Sequence, residues 1–434
     1  MSTPGPTTSA PGATRPSVAV IGSGVSGLTA AYVLRETHDV TVFEADDRFG
    51  GHAHTHALPD PEGGTQHVDS GFIVHNDRTY PLLRRLFAEL DVEVHPTEMS
   101  MSIHCDGCGL EYAGGRKFPG LFAQPRRLAD PRYLALLANV KRFQRKALAL
   151  LESEPDAAEP QTYGDFLRLN GFSDHFLAHY AIPIVSCVWS SGRDVALEYP
   201  ARYLFTFLRH HGFLSISGSP QWFTVQGGSQ SYVRKVVEAV GDVRAGTAVR
   251  AISRKPDRVA VLDVHGQEHS VDSVVIATHP DDALALLTDA TDDERRVLGA
   301  FEYSRNETIL HSDDRLLPDA TNARASWNYR MDACDARSEA TAVTYWMNRL
   351  QGLKTSTPYL VSLNSAEHIA PATVHATMQY AHPIYTPRSV AAQAELGGLA
   401  TERTVYAGAY HGWGFHEDGC RSGVEAARHL GAHW

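Results

Sequence analysis

The stretch "SVAVIGSGVSGLTAAYVL", residues 17–34, decides how the rest of the chain is read. Val18 to Ile21 form a short continuous apolar run, the pattern of a strand buried on both faces. Gly22, Gly24 and Gly27 then spell G-x-G-x-x-G, and Thr29 to Leu34 continue as a helix. A second strand is expected over Val40 to Phe43, ending on Glu44, twenty-two residues after Gly22. Strand, glycine turn, helix, strand and acid together predict a dinucleotide site. Gly22 permits a sharp turn, Gly24 lets a pyrophosphate reach the backbone, and Gly27 lets the helix sit close on the strand. Ser23, Val25 and Ser26 fill the turn and the helix start, where N–H groups and the helix dipole favour an anion. Glu44 is placed to accept hydrogen bonds from ribose hydroxyls, and its charge disfavours a 2′-phosphate.

The next residues, "EADDRFGGH" (44–52), resemble the E-A-x-x-R-x-G-G-R signature of the flavin amine oxidase superfamily, with His52 in place of the last arginine. The resemblance implies FAD, held by Ala45, Arg48, Gly50, Gly51 and His52 beside the first turn. No second glycine fingerprint occurs, so one dinucleotide is expected and no built-in NADPH domain. The resemblance also implies an α/β fold: a Rossmann-like FAD-binding domain of the glutathione-reductase or amine-oxidase type, interleaved with an α+β substrate domain. The expected FAD-binding domain takes residues 17–75, 225–290 and 395–434, and the substrate domain 76–224 and 291–394, after a disordered leader over 1–16.

Two later returns to the nucleotide domain are expected. "GGSQSYVRKVVEAVG" (227–241) reads as a glycine turn and helix, and the alternating strands after it close on "VVIAT". The family pattern puts an adenine contact near Val249 and brings Ala277 and Thr278 close to the cofactor. "VYAGAYHGWGFHEDGCRSGVEAARHL" (405–430) reads as the last return, a strand ending at Gly408 and a helix opening at Phe415, His416 and Glu417. N–H groups at that helix start would face the ribityl chain and the flavin N1–C2=O edge, where negative charge develops on reduction. The family's acid after the A-G pair is Ala409 here; Glu417 or Asp418 is placed to take over its contacts.

Longer blocks narrow the resemblance. "DSGFIVHNDRTYPLLRRLFAELDVEV" (69–94), "IPIVSCVWSS" (182–191), "GSPQWFTVQGGSQSYVRKV" (218–236) and "YAGAYHGWGFHEDG" (406–419) resemble bacterial FAD/NAD-binding proteins associated with cyclopropane fatty acid synthases. They also resemble the N-terminal flavin domain of plant cyclopropane fatty acid synthases. This implies cofactor contacts at Gly71, Phe72 and Ile73, an apolar acyl or polyene substrate, and a methyltransferase partner.

Bulk properties set limits. A formal charge of −11 argues against a nucleic-acid partner. No apolar run reaches the length of a transmembrane helix. Five cysteines, an odd and sparse set, suit a reducing cytoplasm. Only Cys105 and Cys108 are close, and this C-D-G-C reads as a tight turn because the second pair of a zinc site is missing. Histidines number 23, but no metal-binding spacing supports a metal centre, and none is expected.

Between the returns, Arg116 to Leu151 holds nine Lys or Arg against one acid, Asp130. Tyr133, Leu136, Leu137, Val140, Phe143, Ala147, Leu148 and Leu151 fall at helical spacing. The stretch reads as a core-packed helix with a basic face, or as a peripheral contact with anionic lipid. Trp189, Trp222 and Trp413 are candidates to line the substrate space; Tyr410, His416 and Glu417 are candidates for tuning or proton transfer. The reading that results is an FAD-dependent oxidoreductase moving a hydride to or from an apolar substrate. The alternatives are a redox-neutral double-bond isomerase, an accessory subunit of a lipid methyltransferase, and a true amine oxidase.

Overall fold

The computed structural model describes residues 15–153, 161–214, 219–334 and 342–434. The leader expected over 1–16 therefore lies, as far as residue 14, outside the described residues. A five-stranded parallel sheet forms the layer expected to bind the nucleotide. Its order is Val243–Arg244, Asp39–Phe43, Ser17–Ile21, Ser273–Ile276 and Thr404–Tyr406. Three stretches far apart in sequence thus meet in one sheet. Val20 pairs with Val42 on one side and with Val275 on the other, and all three are fully buried. Such two-sided burial is why these strands read as apolar runs rather than alternating ones.

Helix Val25–Leu34 is buried along its whole length. The C-terminal helix His416–His429 lies across it at two glycines. A Cβ on Gly423 would stand 2.4 Å from the Ser26 carbonyl oxygen and 3.0 Å from the Ala30 nitrogen. Only a residue without a side chain lets the two backbones approach so closely.

A mixed seven-stranded sheet forms a second layer, in the order Val374–Ile384, Glu302–His311, Leu360–Leu363, Val343–Trp346, Trp327–Met331, Met101–Cys105 and Leu110–Gly114. A small antiparallel sheet, Val249–Arg254, Val259–Asp263 and Glu268–Val271, flanks the nucleotide layer. Helices Pro131–Glu152, Tyr163–Leu169, Ile182–Trp189 and Ala201–His210 pack over the larger sheet. Their core centres on Phe143, which is ringed by Tyr163, Phe166, Phe172, Phe176, Tyr180 and Phe205 at edge or tilted angles.

The basic stretch is mostly the helix Pro131–Glu152. Asp130 caps it by accepting from the N–H groups of Arg132 and Tyr133, and Pro131 occupies the first turn. Tyr133, Leu136, Phe143 and Ala147 are buried at the spacing the sequence suggested, while Arg132, Lys141, Arg145 and Lys146 are exposed. Among the described residues, no helix is long and apolar enough to cross a membrane.

Candidate flavin site

The glycine turn is built as its spacing requires. The Gly22 N–H donates to the Phe43 carbonyl at 2.8 Å, and Gly22 has φ +100°. A Cβ on Gly27 would lie 1.9 Å from the Gly22 carbonyl oxygen, so the helix is seated directly on the turn. Gly24 is different: a Cβ there meets no atom within 4 Å. It is the N-cap of Val25–Leu34, with no side chain capping the helix and no acid in the first turn. The space in front of this helix start is therefore kept clear by the absence of a side chain, at the end that attracts an anion.

Glu44 is held in place from two sides. One carboxylate oxygen accepts from the Ser23 N–H at 2.8 Å and from the Ser23 hydroxyl at 2.5 Å; the other accepts from the Asp46 N–H at 2.9 Å. Val249 begins the strand next to this end of the site, since the Thr247 N–H donates to the Glu44 carbonyl at 2.8 Å. Ala45 is exposed beside Glu44. Gly50 donates to the Ser23 carbonyl at 3.1 Å, and a Cβ on Gly51 would touch the Gly24 Cα at 3.2 Å. Ala277 and Thr278 bracket the other flank, the Ala277 carbonyl oxygen lying 2.9 Å from where a Gly22 Cβ would be. The Phe72 N–H donates to the His52 carbonyl at 2.7 Å, which ties Gly71 and Phe72 to the Gly50–Gly51 loop. Ile73 is buried among Val68, Leu310 and Met347 and belongs to the core.

Two buried nitrogens here have no hydrogen-bond partner among the described residues, Arg48 Nη1 and His52 Nε2. A clear helix N-terminus, a carboxylate anchored beside it and two unpaired nitrogens fit an adenine dinucleotide with its anionic pyrophosphate. When bound, FAD supplies a ring that accepts or returns a hydride.

The second jaw starts at Phe415, the N-cap of the C-terminal helix. Gly408 precedes it, donating its N–H to the Ser422 hydroxyl at 2.9 Å and so fixing strand to helix. His416 stacks on Phe72 with ring centroids 3.7 Å apart, and its Nε2 lies 3.2 Å from the Tyr232 hydroxyl. Burial pushes the His416 imidazole down to about 3, so it is neutral at pH 7 and a weak base.

Of the other two candidates for proton transfer, Glu417 is engaged by a neighbouring helix, and the Tyr410 hydroxyl is buried with no hydrogen-bond partner among the described residues. Glu417 accepts from the N–H groups of Leu82 and Leu83, both at 3.0 Å, and so caps the neighbouring helix Pro81–Glu89. Burial raises its carboxyl to about 7 against the pull of those two donors. Asp418, not Glu417, caps its own helix, accepting from the Trp413 and Phe415 N–H groups and pairing with Arg421 at 2.7 Å. Tyr410 is buried against Phe301 in the apolar cluster that also holds Tyr406.

Sequence reasoning missed the wall formed by the larger sheet. Tyr380 and His382 project from one face of Val374–Ile384, two residues apart, and their rings lie 4.9 and 5.7 Å from that of His52. Burial holds His52 well below the ordinary imidazole range and His382 at about 4. The alternation in "YAHPI" (380–384) was the available signal.

Of the three tryptophans, Trp189 and Trp413 come together: the Trp189 indole N–H donates to the Trp413 carbonyl at 3.1 Å. Trp222 joins them less directly, through stacked His211, Phe207 and Phe415. The whole aromatic group therefore abuts the start of the C-terminal helix.

Solved structures resemble the fold throughout. Cyclohexylamine oxidase from Brevibacterium oxydans IH-35A superposes with a TM-score of 0.68 at 17% identity, over 96% of this chain and 98% of that one. A CLA-producing fatty acid isomerase from P. acnes gives 0.64 at 17% identity, over 95% and 98%. In sequence, the flavin-dependent L-tryptophan oxidase RebO of Lentzea aerocolonigenes is 26% identical over 316 residues, 66% of this chain and 63% of RebO. The chain thus spans less than two thirds of that relative's length. A family model described as flavin containing amine oxidoreductase matches residues 25–309, more than half of the chain, from the first helix of the cradle into the larger sheet. The protein is therefore a member of the flavin containing amine oxidoreductase family, and its cofactor is FAD.

Proposed function

We propose that the protein is an FAD-dependent oxidoreductase that moves a hydride to or from an apolar, fatty-acyl or polyene substrate. One observation carries this reading: the rings gathered at the start of the C-terminal helix are electrically neutral. Trp189, Tyr203, Phe207, Tyr385, Trp413 and Phe415 pack together there. Burial raises the Tyr203 and Tyr385 phenols well above their usual range and lowers His211 and His411 to about 4. Nearby, Asp418 and Arg421 pair with each other, and Glu417 faces a helix end. These rings carry no carboxylate, and an alkyl chain loses no hydrogen bonds beside them.

The roles follow from the geometry. Glu44 and the turn from Gly22 to Gly27 bind the cofactor's adenosine and pyrophosphate, with Arg48 as a donor and His52 beside it. His416 and Phe72 form a rigid stacked wall, and His416 hands a hydrogen bond to or from Tyr232. The aromatic group positions the chain and excludes water. The resemblance to flavoproteins associated with cyclopropane fatty acid synthases supports the acyl class. Exposed Phe118 and Leu128, set in the basic stretch, support delivery from an anionic lipid surface.

A second reading, redox-neutral isomerisation of a double bond, draws support from the single dinucleotide fingerprint, which supplies no nicotinamide donor. The fold likeness to the CLA-producing fatty acid isomerase from P. acnes supports the same reading. Incubating flavin-loaded protein with unsaturated phospholipid, with and without oxygen, separates the readings. Acyl chains altered by two hydrogens, in step with acceptor use, support the oxidoreductase. A shifted double bond at unchanged mass supports the isomerase. Acyl chains unaltered in every condition, with amines consumed instead, would overturn both.

A further inference from the structure

The hairpin of strands Met101–Cys105 and Leu110–Gly114 carries one thiol at the end of its first strand and one in its turn, Cys105 and Cys108. The tight turn expected at Asp106-Gly107 is present, running over residues 106–109. The fold then brings in two donors that are remote in sequence. Strand Trp327–Met331 runs parallel to Met101–Cys105, with Met331 opposite Cys105, and delivers Cys334 three residues later. A five-residue π-helical turn, Leu177–Ala181, delivers His179. One ligand atom from each of Cys105, Cys108, His179 and Cys334 can be chosen so that all lie within 4.8 Å of one another.

We propose that these four side chains form a structural zinc site, Cys3His, outside the flavin cradle. The distances have the right scale. Zinc–sulfur bonds of about 2.3 Å at the tetrahedral angle put sulfurs about 3.8 Å apart, and a zinc–nitrogen bond of about 2.0–2.1 Å puts sulfur and nitrogen about 3.5–3.6 Å apart. Cys105 Sγ and Cys334 Sγ are 3.8 Å apart, and Cys108 Sγ is 3.5 Å from His179 Nε2. A disulfide needs sulfurs at about 2.05 Å and would use two of the four donors.

The surroundings suit a metal as well. His179 Nδ1 lies 3.0 Å from the His175 carbonyl oxygen, so Nδ1 carries the proton and Nε2 presents its lone pair to the thiols. The Tyr112 hydroxyl donates to the His179 carbonyl at 2.7 Å and fixes the turn that carries the ligand. π-Helical turns recur where a side chain must be aimed for function. Three thiolates exceed the charge of Zn2+ by one, and two guanidiniums sit on the same loop: Arg127 Nη2 donates to the Cys108 and Gly109 carbonyls at 3.0 and 2.8 Å, and Arg126 Nη2 to Gly109 at 3.1 Å. Three sulfurs and one imidazole select zinc among common divalent ions, and four protein ligands leave no open position for catalysis. The site would pin the hairpin and the larger sheet to the helices over it. Binding displaces the thiol protons and changes no oxidation state.

The test uses the flavin-loaded, full-length protein purified under reductant without chelator. Metal analysis should find one zinc per chain, and Cys108→Ser with Cys334→Ser should abolish it while flavin content is unchanged. Exchange with Co2+ should give ligand-field bands to the red of the flavin, with intensities typical of a tetrahedral site. These wild-type measurements stand even if the double variant folds poorly. Wild-type protein without zinc that develops no such bands with Co2+, zinc that persists in the double variant, or a metal-free protein lighter by two hydrogens through a Cys105–Cys334 disulfide would each overturn the proposal.

Discussion

Gly24→Val separates cofactor binding from folding. Gly24 has φ −64° and ψ 175°, a conformation open to any residue, and a Cβ there meets no atom within 4 Å. Replacing glycine at an N-cap costs about 1 kcal/mol or less. The apoprotein should therefore melt within a few degrees of wild type. The new side chain nevertheless occupies the space in front of the helix start, where the pyrophosphate is to be held. Backbone hydrogen bonds to a charged acceptor contribute about 1.5–3 kcal/mol each. Loss of two raises the Kd for FAD by about 10² to 10⁴, the equivalent of about 3–6 kcal/mol. The assay is calorimetric titration of the apoprotein with FAD, beside thermal melts of both apoproteins. Gly27→Ala is the contrast: its Cβ would lie 1.9 Å from the Gly22 carbonyl oxygen, so it should destabilise the apoprotein itself. Wild-type FAD affinity in Gly24→Val would refute the cradle, as would an apoprotein as unstable as Gly27→Ala.

Other expectations are separable from that one. Glu417→Gln should lower the Tm yet leave the rate of flavin reduction within about twofold, whereas loss of a general base would cost about 10²–10⁴. Burial raises the Glu417 carboxyl to about 7, so its stabilising contribution is present in acid and is lost as pH rises through 7. The Tm advantage of wild type over Glu417→Gln should accordingly shrink between pH 5 and pH 8. Buried neutral histidines act in the opposite sense: His54 and His416 are lowered to about 3, and His382 and His411 to about 4. Their contribution is complete above the unfolded value near 6.5 and is lost as pH falls towards 3–4, so denaturant melts should show stability declining below about pH 6.5. Gly423→Leu should cost about 1–3 kcal/mol or more by forcing the C-terminal helix off Ser26, seen as a lower urea midpoint, while Gly398→Ala, with no atom near its Cβ, should cost little. Anionic vesicles should co-sediment the protein and neutral vesicles should not, and charge reversal at Lys141 and Lys146 should abolish the difference.

What the sequence disclosed, it disclosed through local pattern. The first strand, turn and helix obey short-range rules, so Gly22, Gly27 and Glu44 sit where their spacing put them. The last strand and helix, around Gly408 and His416, were readable for the same reason. Side-chain partners across the fold were not. Glu417 looks like a first-turn acid of its own helix, yet it points to the end of another, and nothing within its own segment reveals Leu82. The Cys105–Cys108 pair lacked a visible complement because His179 arrives on a helical turn and Cys334 just past a strand, some 70 and 230 residues away. Trp189 and Trp413 were each plausible as plain core; only the fold joins them by a hydrogen bond. The larger sheet carries its wall residues, Tyr380 and His382, on the same face as Val374, Ala376, Met378 and Ile384, and nothing local to that strand shows that this face meets His52.

Hydride transfer from an acyl chain is tested by an anaerobic titration of the flavin-loaded protein with unsaturated phospholipid, following the long-wavelength flavin band. The band should bleach in proportion to added lipid and return when oxygen or another acceptor is admitted. A band untouched by lipid but bleached by cyclohexylamine or tryptophan would contradict it, and would make the neutral aromatic group an amine site.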